Sequence, residues 1–543
     1  MGREVNEGYI HDLERKIEEG MGDVIQLKRA RNLALNISVR IPPEILGCIF
    51  CCSVSRKRDH HHHSMRPQGG SYNFVLVCHH WFEVASHTAE LWSYWGDTLE
   101  QWLRWSKYPG THPVDLTLNG YKYAGPLPTL FNQTLQSLWG PLRERAGRDA
   151  IRSINFRADV STTAILSALT LDDEGVQCSS VESISLQYAD ISEFFAHNRL
   201  PKLWYLDLRT GVETSSWEPL GLHTTALTTL IITIGDKKSN PTTTQLLSVL
   251  SSNPRLRSLT LSRYGIPQDN GDGSTSTVPL RSLEKLDIKG TFRSTFQLLG
   301  RLDYPSRMTK MTLGVFRCEI EDISGTLGPY VRNHIERDGR FRDGLGISVA
   351  SSPDALSLKV GTVHDVEGQI QTVKFATFVA TPRWVIPDDD EARICGDLLE
   401  HIPLGHVVYF SGDLDMGVFG RIITAMPRIR ELRLINVHLD DGFLRPDPEE
   451  PLSKERPLPL LRCIDLEAAT LGLKRWDPLL SYLRVNEASG GKVIALTISG
   501  GEEHMCRHVE EEIEGFVEEL SLDYMVDICP FGKCGLEKIR DDE

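Results

Sequence analysis

The chain has 543 residues, 59 of them Lys or Arg and 74 Asp or Glu, giving a formal net charge of −15. With 40% hydrophobic and 24% charged residues it reads as folded rather than disordered, and its length fits three or four domains or one elongated repeat array. The acidic balance argues against a nucleic-acid binder, which needs a basic surface to neutralise phosphates.

Eleven scattered cysteines are the usage of a reducing compartment. The N-terminal residues are polar, without the apolar stretch of a secretion signal, and no segment approaches the ~18 consecutive apolar residues of a membrane span. The expectation is an intracellular chain, in cytoplasm or nucleus, with no membrane partner. Residues 8–37 carry Ile10, Leu13, Ile17, Met21, Val24 and Leu27 at steps of three and four, the signature of one apolar helix stripe. Gly20 and Gly22 interrupt it at roughly 1 kcal/mol each relative to Ala. A coiled-coil strand is one reading, and the expected one is a helix docked on its own domain, spanning 1–37.

A second helical pattern begins at Ile41-Pro42-Pro43-Glu44-Ile45-Leu46, with Ile45, Leu46, Ile49 and Phe50 on one apolar face. Proline suits a helix start, where the missing N–H costs nothing. After a variable loop come Val77-Cys78-His79-His80-Trp81 and Ala85, then Leu91-Trp92. This order of residues resembles the F-box, in the form found in F-box-like fungal proteins. The resemblance covers 38–95, with the His-rich loop at 51–73 inside it; His79 and His80 stand where the family more often has Arg. It implies docking onto a Skp-type adaptor, and through it a cullin–RING ubiquitin ligase. Carried over by position, the adaptor-binding residues are Pro42, Ile45, Leu46, Ile49, Val77 and Trp81, with Trp81 equally suited to holding the F-box helices together. The four histidines 60–63 are adjacent, not spaced as i, i+4 ligands, and are expected to be a solvated loop.

A connecting region, 96–150, precedes a loose repeat over 151–500. Pro201, Pro254, Pro427 and Pro459 each stand five residues before an apolar-x-apolar pair: Leu206/Leu208, Leu259/Leu261, Leu432/Leu434 and Ile464/Leu466. Looser copies are Ile154/Phe156, Ile184/Leu186, Leu230/Ile232, Leu286/Ile288, Met311/Leu313 and Leu496/Ile498. Helix-like stretches at 242–250 and 295–302 lie between such pairs. The fold class expected is α/β: a helical F-box, then an irregular leucine-rich-repeat-like solenoid of parallel strands with helices. Residues 315–405 lose the spacing, though strand patterns recur at 356–360, 373–380 and 407–410, and read as divergent repeats or an insertion. Side chains between the apolar positions would face a target protein: Tyr205, Asp207 and Arg209; Lys285, Asp287 and Lys289; Glu431 and Arg433; Asp465 and Glu467.

No P-loop, dinucleotide glycine pattern, His-Glu-x-x-His or Gly-x-Ser-x-Gly occurs, so an enzyme is not expected. The one cluster of ligand types, Cys529 and Cys534 with His504, Cys506 and His508, is taken as a C-terminal turn; no metal or cofactor is expected. Residues 501–543 hold 14 acids and 4 bases. Val509, Ile513, Phe516, Val517 and Leu520 there predict an amphipathic helix that caps the repeats with an acidic outer face. The functional expectation is the substrate-recognition subunit of an SCF-type ubiquitin ligase; the alternative is a repeat scaffold with an F-box and no role in degradation.

Overall fold

The computed structural model describes residues 7–35, 41–53, 57–58, 65–66, 77–95, 113–118, 151–156, 180–187, 191–209, 217, 220, 224–234, 241–263, 277–305, 308, 310–339, 344–352, 355–366, 369–382, 395–412, 419, 422–436, 438–439, 458–467, 470–471, 476–499 and 507–523. They form two compact units, Met1–Leu227 and Thr228–Glu543. Each is mixed α/β with a mostly parallel sheet.

The first unit opens with α1 (Glu7–Leu35), unbroken through Gly20 and Gly22. Asp12 pairs with Arg15 and with Lys16 one turn on, and the acids cluster in the N-terminal half, where they complement the helix dipole. The expected docking of its apolar stripe is not found: Ile17, Met21, Val24, Ile25 and Leu27 are all exposed. Then follow α2 (Pro43–Ser53) and α3 (His79–His87), separated by a two-residue antiparallel ladder, Lys57–Arg58 on Met65–Arg66, and completed by a 3-10 turn at Ala89–Ser93. Histidines 60–63 lie outside the described residues.

Five parallel strands succeed the helices in chain order: β1 (Tyr94–Trp95), β2 (Val114–Leu118), β3 (Ile151–Phe156), β4 (Ser183–Leu186) and β5 (Tyr205–Leu208), each paired with the next. The sheet therefore starts before residue 151: β1 falls at the end of the segment expected to be the F-box (38–95) and β2 within the expected connecting region (96–150). Apolar positions stack in register: Ile154, Ile184 and Leu206 form one row, Phe156, Leu186 and Leu208 another, all fully buried.

In the second unit β6 (Thr229–Ile234), β7 (Ser258–Arg263), β8 (Lys285–Thr291) and β9 (Lys310–Cys318) continue the same parallel pattern. So do β13 (Val407–Gly412), β14 (Glu431–Ile435), β15 (Cys463–Glu467), β16 (Val493–Ser499) and β17 (Val517–Asp523). Between these runs lies a three-stranded meander, β10 (Leu345–Ser352), β11 (Ala355–Val366) and β12 (Gln369–Pro382). The order across the sheet is β9-β12-β11-β10-β13, with only β11 antiparallel to its neighbours. This is why 315–405 loses the repeat spacing: Ser352 pairs with Ala355 and Val366 with Gln369, so hairpin turns replace the helical crossovers.

The proline marker has a local cause. Pro201 sits in a turn closed by Leu203 N–H donating to the Leu200 carbonyl (3.1 Å), and Pro254, Pro427 and Pro459 in turns closed by Leu256, Ile429 and Leu461. Proline presets the backbone for the second position of such a turn, and the flanking aliphatics plug the core just before the strand begins. Leu280-Arg281-Ser282-Leu283 makes the same turn without proline (3.0 Å), which hid it from the spacing rule.

Helices supply the second layer. α4 (Ser192–His197) lies in the first unit; α5 (Thr243–Ser251) and α6 (Phe292–Leu299) lie in the second. α5 starts on a capping box in which Gln245 N–H donates to Thr242 Oγ1 (3.2 Å) and Thr242 N–H to Gln245 Oε1 (3.0 Å). Behind it the buried Asn253 donates from Nδ2 to the Val249 carbonyl (2.8 Å), closing the helix end. Asn253→Leu leaves that carbonyl without this donor, and we expect a loss of about 1–3 kcal/mol, read as a lower urea midpoint.

Further on, α7 (Gly328–Asp338) ends at Gly339, whose φ of 68° is left-handed. α8 (Asp477–Ala488) and α9 (Arg507–Phe516) are tied by an Arg484–Glu512 ion pair. The helix predicted through Leu520 stops at Phe516. From Val517 the chain pairs with β16, setting Leu520 beside Leu496 and Leu522 beside Ile498. Unpaired backbone groups at a strand edge outweigh a helical pattern that is also compatible with alternation.

Candidate docking surface

The α2–α3 region is built from a small core. Leu46 N–H donates to the Pro42 carbonyl (2.9 Å), so the first helical turn closes on the proline pair, and Glu44 complements the dipole. Leu46, Phe50, Val84, Ala85, Leu91 and Trp92 are buried. Trp92 Nε1 donates to the Ala85 carbonyl (2.7 Å), pinning the 3-10 turn to α3. The Trp81 ring packs on Phe50 at 5.1 Å between centroids and 59°. Gly47 is required: a Cβ there would lie 2.9 Å from Thr88 Oγ1, which itself donates to the Val84 carbonyl (2.7 Å).

The other side of these helices is apolar and open. Ile45 is 53% exposed, Ile49 46% and Val77 55%, and Phe82 of α3 is 41% exposed. Pro42, Cys48 and Cys52 are exposed as well. Of the six positions the sequence assigned to adaptor binding, Pro42, Ile45, Ile49 and Val77 lie on open surface. Leu46 does not: at 1% exposure it is core, sharing with Phe50, four residues on, the face of α2 that packs on α3 and the 3-10 turn. Trp81 is half-buried, its ring on Phe50. Sequence reasoning missed Phe82, which follows Trp81 directly and had no motif position. A groove of about 620 Å³ runs between α2 and α3, lined by Pro43, Gly47, Cys51, His80 and Val84 and rimmed by Glu90.

Thiols give an independent probe of this surface. Cys48 and Cys52 are exposed, whereas Cys395 is buried and burial pushes the Cys318 thiol up to about 11. Brief iodoacetamide treatment of the folded protein at pH 8 should therefore alkylate Cys48 and Cys52 and spare Cys318 and Cys395, as read by peptide mass mapping.

The strand positions assigned to a target protein divide. In the first unit Tyr205 and Asp207 are both 1% exposed, and Arg209 is half-buried. Asp207 accepts from Ser185 Oγ (3.3 Å), Tyr205 OH (3.3 Å) and Arg209 Nε (3.0 Å), so its capacity is spent within the sheet. These two are corrected from partner-facing to internal. A second such centre, unforeseen from sequence, is Asp115, which takes Arg152 in a two-pronged pair (Nε at 2.9 Å) together with Ser153 Oγ (2.8 Å). Intervening strand residues are expected to meet solvent, and here the carboxylates are satisfied within the sheet instead: Asp115 by the neighbouring strand, Asp207 by its own strand and Ser185 of the adjacent one.

In the second unit the assignment meets open surface. Lys285 and Lys289 are exposed, Asp287 half-buried with its Oδ1 3.5 Å from Lys289 Nζ. Lys285 stands directly opposite Lys310 on β9. Farther along the sheet the sign reverses: Glu431, Asp465 and Glu467 surround Arg433, whose guanidinium lies 3.4 Å from Asp465 and pairs with Glu467. Burial raises the Asp465 carboxyl, with Arg433 opposing and Glu467 reinforcing the shift.

Among the described residues no group of three or more His, Cys, Asp or Glu is arranged to hold a metal ion, and no helix is long and apolar enough to cross a membrane. Cys506, Cys529, Cys534 and His504 lie outside the described residues, and His508 is placed only as part of the α9 backbone. Set against models of known protein families the chain matches none, and no curated protein matches it.

Proposed function

We propose that the chain is the substrate-recognition subunit of an SCF-type ubiquitin ligase. On this reading residues 41–95 are an F-box whose open apolar face docks on a Skp-type adaptor, and a leucine-rich-repeat-like sheet takes the target protein. The observation that carries the reading is the separation of the helical motif into two faces. Leu46, Phe50, Leu91 and Trp92 close a core, while Ile45, Ile49 and Val77 remain in water. Exposed aliphatics on a well-packed scaffold are what a docking interface requires. Support for the target face comes from the charged side chains of β8, β14 and β15, which stand on open sheet while the aliphatic rows beneath them are buried.

The test is capture of a target. The chain carrying Ile45→Asp and Ile49→Asp should retain its target while losing the ligase, so a protein enriched on this variant should gain half-life when the chain is removed from cells. Enrichment of a protein whose half-life does not change supports the other reading, a scaffold with an F-box and no role in degradation. In the second unit Lys285→Glu with Lys289→Glu should reduce capture of that target.

A further inference from the structure

The helix α1 is 29 residues, about 43 Å at 1.5 Å per residue. Ile17, Met21 and Val24 follow one another at i, i+4 and i+7 on a single stripe, with Ile25 and Leu27 at its margins. All five are between 44% and 70% exposed. Ile10 and Leu13 fall on the same stripe by position. An apolar stripe of this length left in water is an unfilled interface.

The charges along the helix indicate what fills it. Residues 7–23 carry six acids, Glu7, Asp12, Glu14, Glu18, Glu19 and Asp23, against Arg15 and Lys16. Residues 24–35 carry Lys28, Arg29 and Arg31 and no acid. One half is thus strongly negative and the other strongly positive. A second copy of the same helix, laid antiparallel, sets each acidic half along a basic half; laid parallel, it sets like charges together.

We infer that α1 is a self-association element: two copies of the chain pair through antiparallel α1 helices, with the Ile17–Met21–Val24 stripe as the seam and opposite charges flanking it. This does not depend on the ligase reading. Dimerisation would place two sets of docking surfaces on one particle and raise the effective concentration of each.

The experiment is light scattering on the full-length chain across a micromolar concentration series at low and high salt. The expected result is a mass of twice 61.1 kDa that falls toward the single-chain value on dilution. Salt should weaken the dimer, because it screens an attraction between opposite charges. Ile17→Lys with Val24→Lys should return the mass to a single chain, with the thermal midpoint that the unaltered chain shows when diluted to a single chain, since both side chains are exposed. A single-chain mass at every concentration overturns the inference, as does a dimer that survives the double substitution. A dimer strengthened by salt overturns the antiparallel arrangement, because a parallel one would be relieved by screening.

Discussion

The pair Ile45→Asp and Ile49→Asp should abolish binding to a Skp-type adaptor without unfolding the chain. Each isoleucine is about half exposed, so a carboxylate there meets water in the free protein and costs little stability. In the complex the same carboxylates would be buried in an apolar seam with no partner. At about 2 kcal/mol or more for each central interface residue, the pair should weaken affinity by a factor of at least several hundred. Leu46→Ala, one residue away, should behave in the opposite manner. Its side chain is buried against the Phe50 core, and its truncation should cost about 2–5 kcal/mol of stability. Calorimetric titration with the adaptor, alongside thermal unfolding of each variant, separates the two effects. Equal adaptor affinity for the Asp pair and the unaltered chain would remove the docking face from the account.

Phe410→Ala should produce the largest loss of stability in the second unit. Phe410 is fully buried on β13, paired with Ile347 of β10 on one side and Leu432 of β14 on the other, and its ring lies 5.7 Å from Phe419. It therefore joins the meander to the run of parallel strands that follows. Removing the ring deletes apolar burial, leaves a cavity and breaks an aromatic pair, for about 3–5 kcal/mol. Urea unfolding should show a midpoint well below that of the unaltered chain. A change under about 1 kcal/mol, the scale of a tolerated core swap, would mean that the seam between meander and parallel strands is not cooperative.

What was legible in the sequence was whatever a local period encodes. All ten apolar-x-apolar pairs lie in strands, since alternation needs only a strand with one face covered. The proline spacing was legible because a turn residue precedes each strand at a fixed distance. The meander was not, because its strands are joined by hairpins and carry no such marker. The end of α9 was missed because Val517 and Leu520 extend the helical stripe while Leu520 and Leu522 alternate as in a strand, and only the neighbouring edge of β16 decides. At the candidate site the apolar character of residues 41–50 was legible, but which face is core was not. That Leu46 and Phe50 turn in while Ile45 and Ile49 turn out depends on α3 and the 3-10 turn packing on one side of α2. Likewise Asp207 is as hydrophilic in sequence as Asp287, and only its contacts with Ser185, Tyr205 and Arg209 make it internal.

The most direct test of the account is amide hydrogen exchange on the full-length chain, with and without a purified Skp-type adaptor. Proposed docking through Pro42, Ile45, Ile49 and Val77 predicts slowed exchange confined to residues 42–53 and 77–87, with β6 to β9 and β13 to β16 unchanged. Exchange that is identical with and without the adaptor, or protection on the strands instead of α2 and α3, would contradict it.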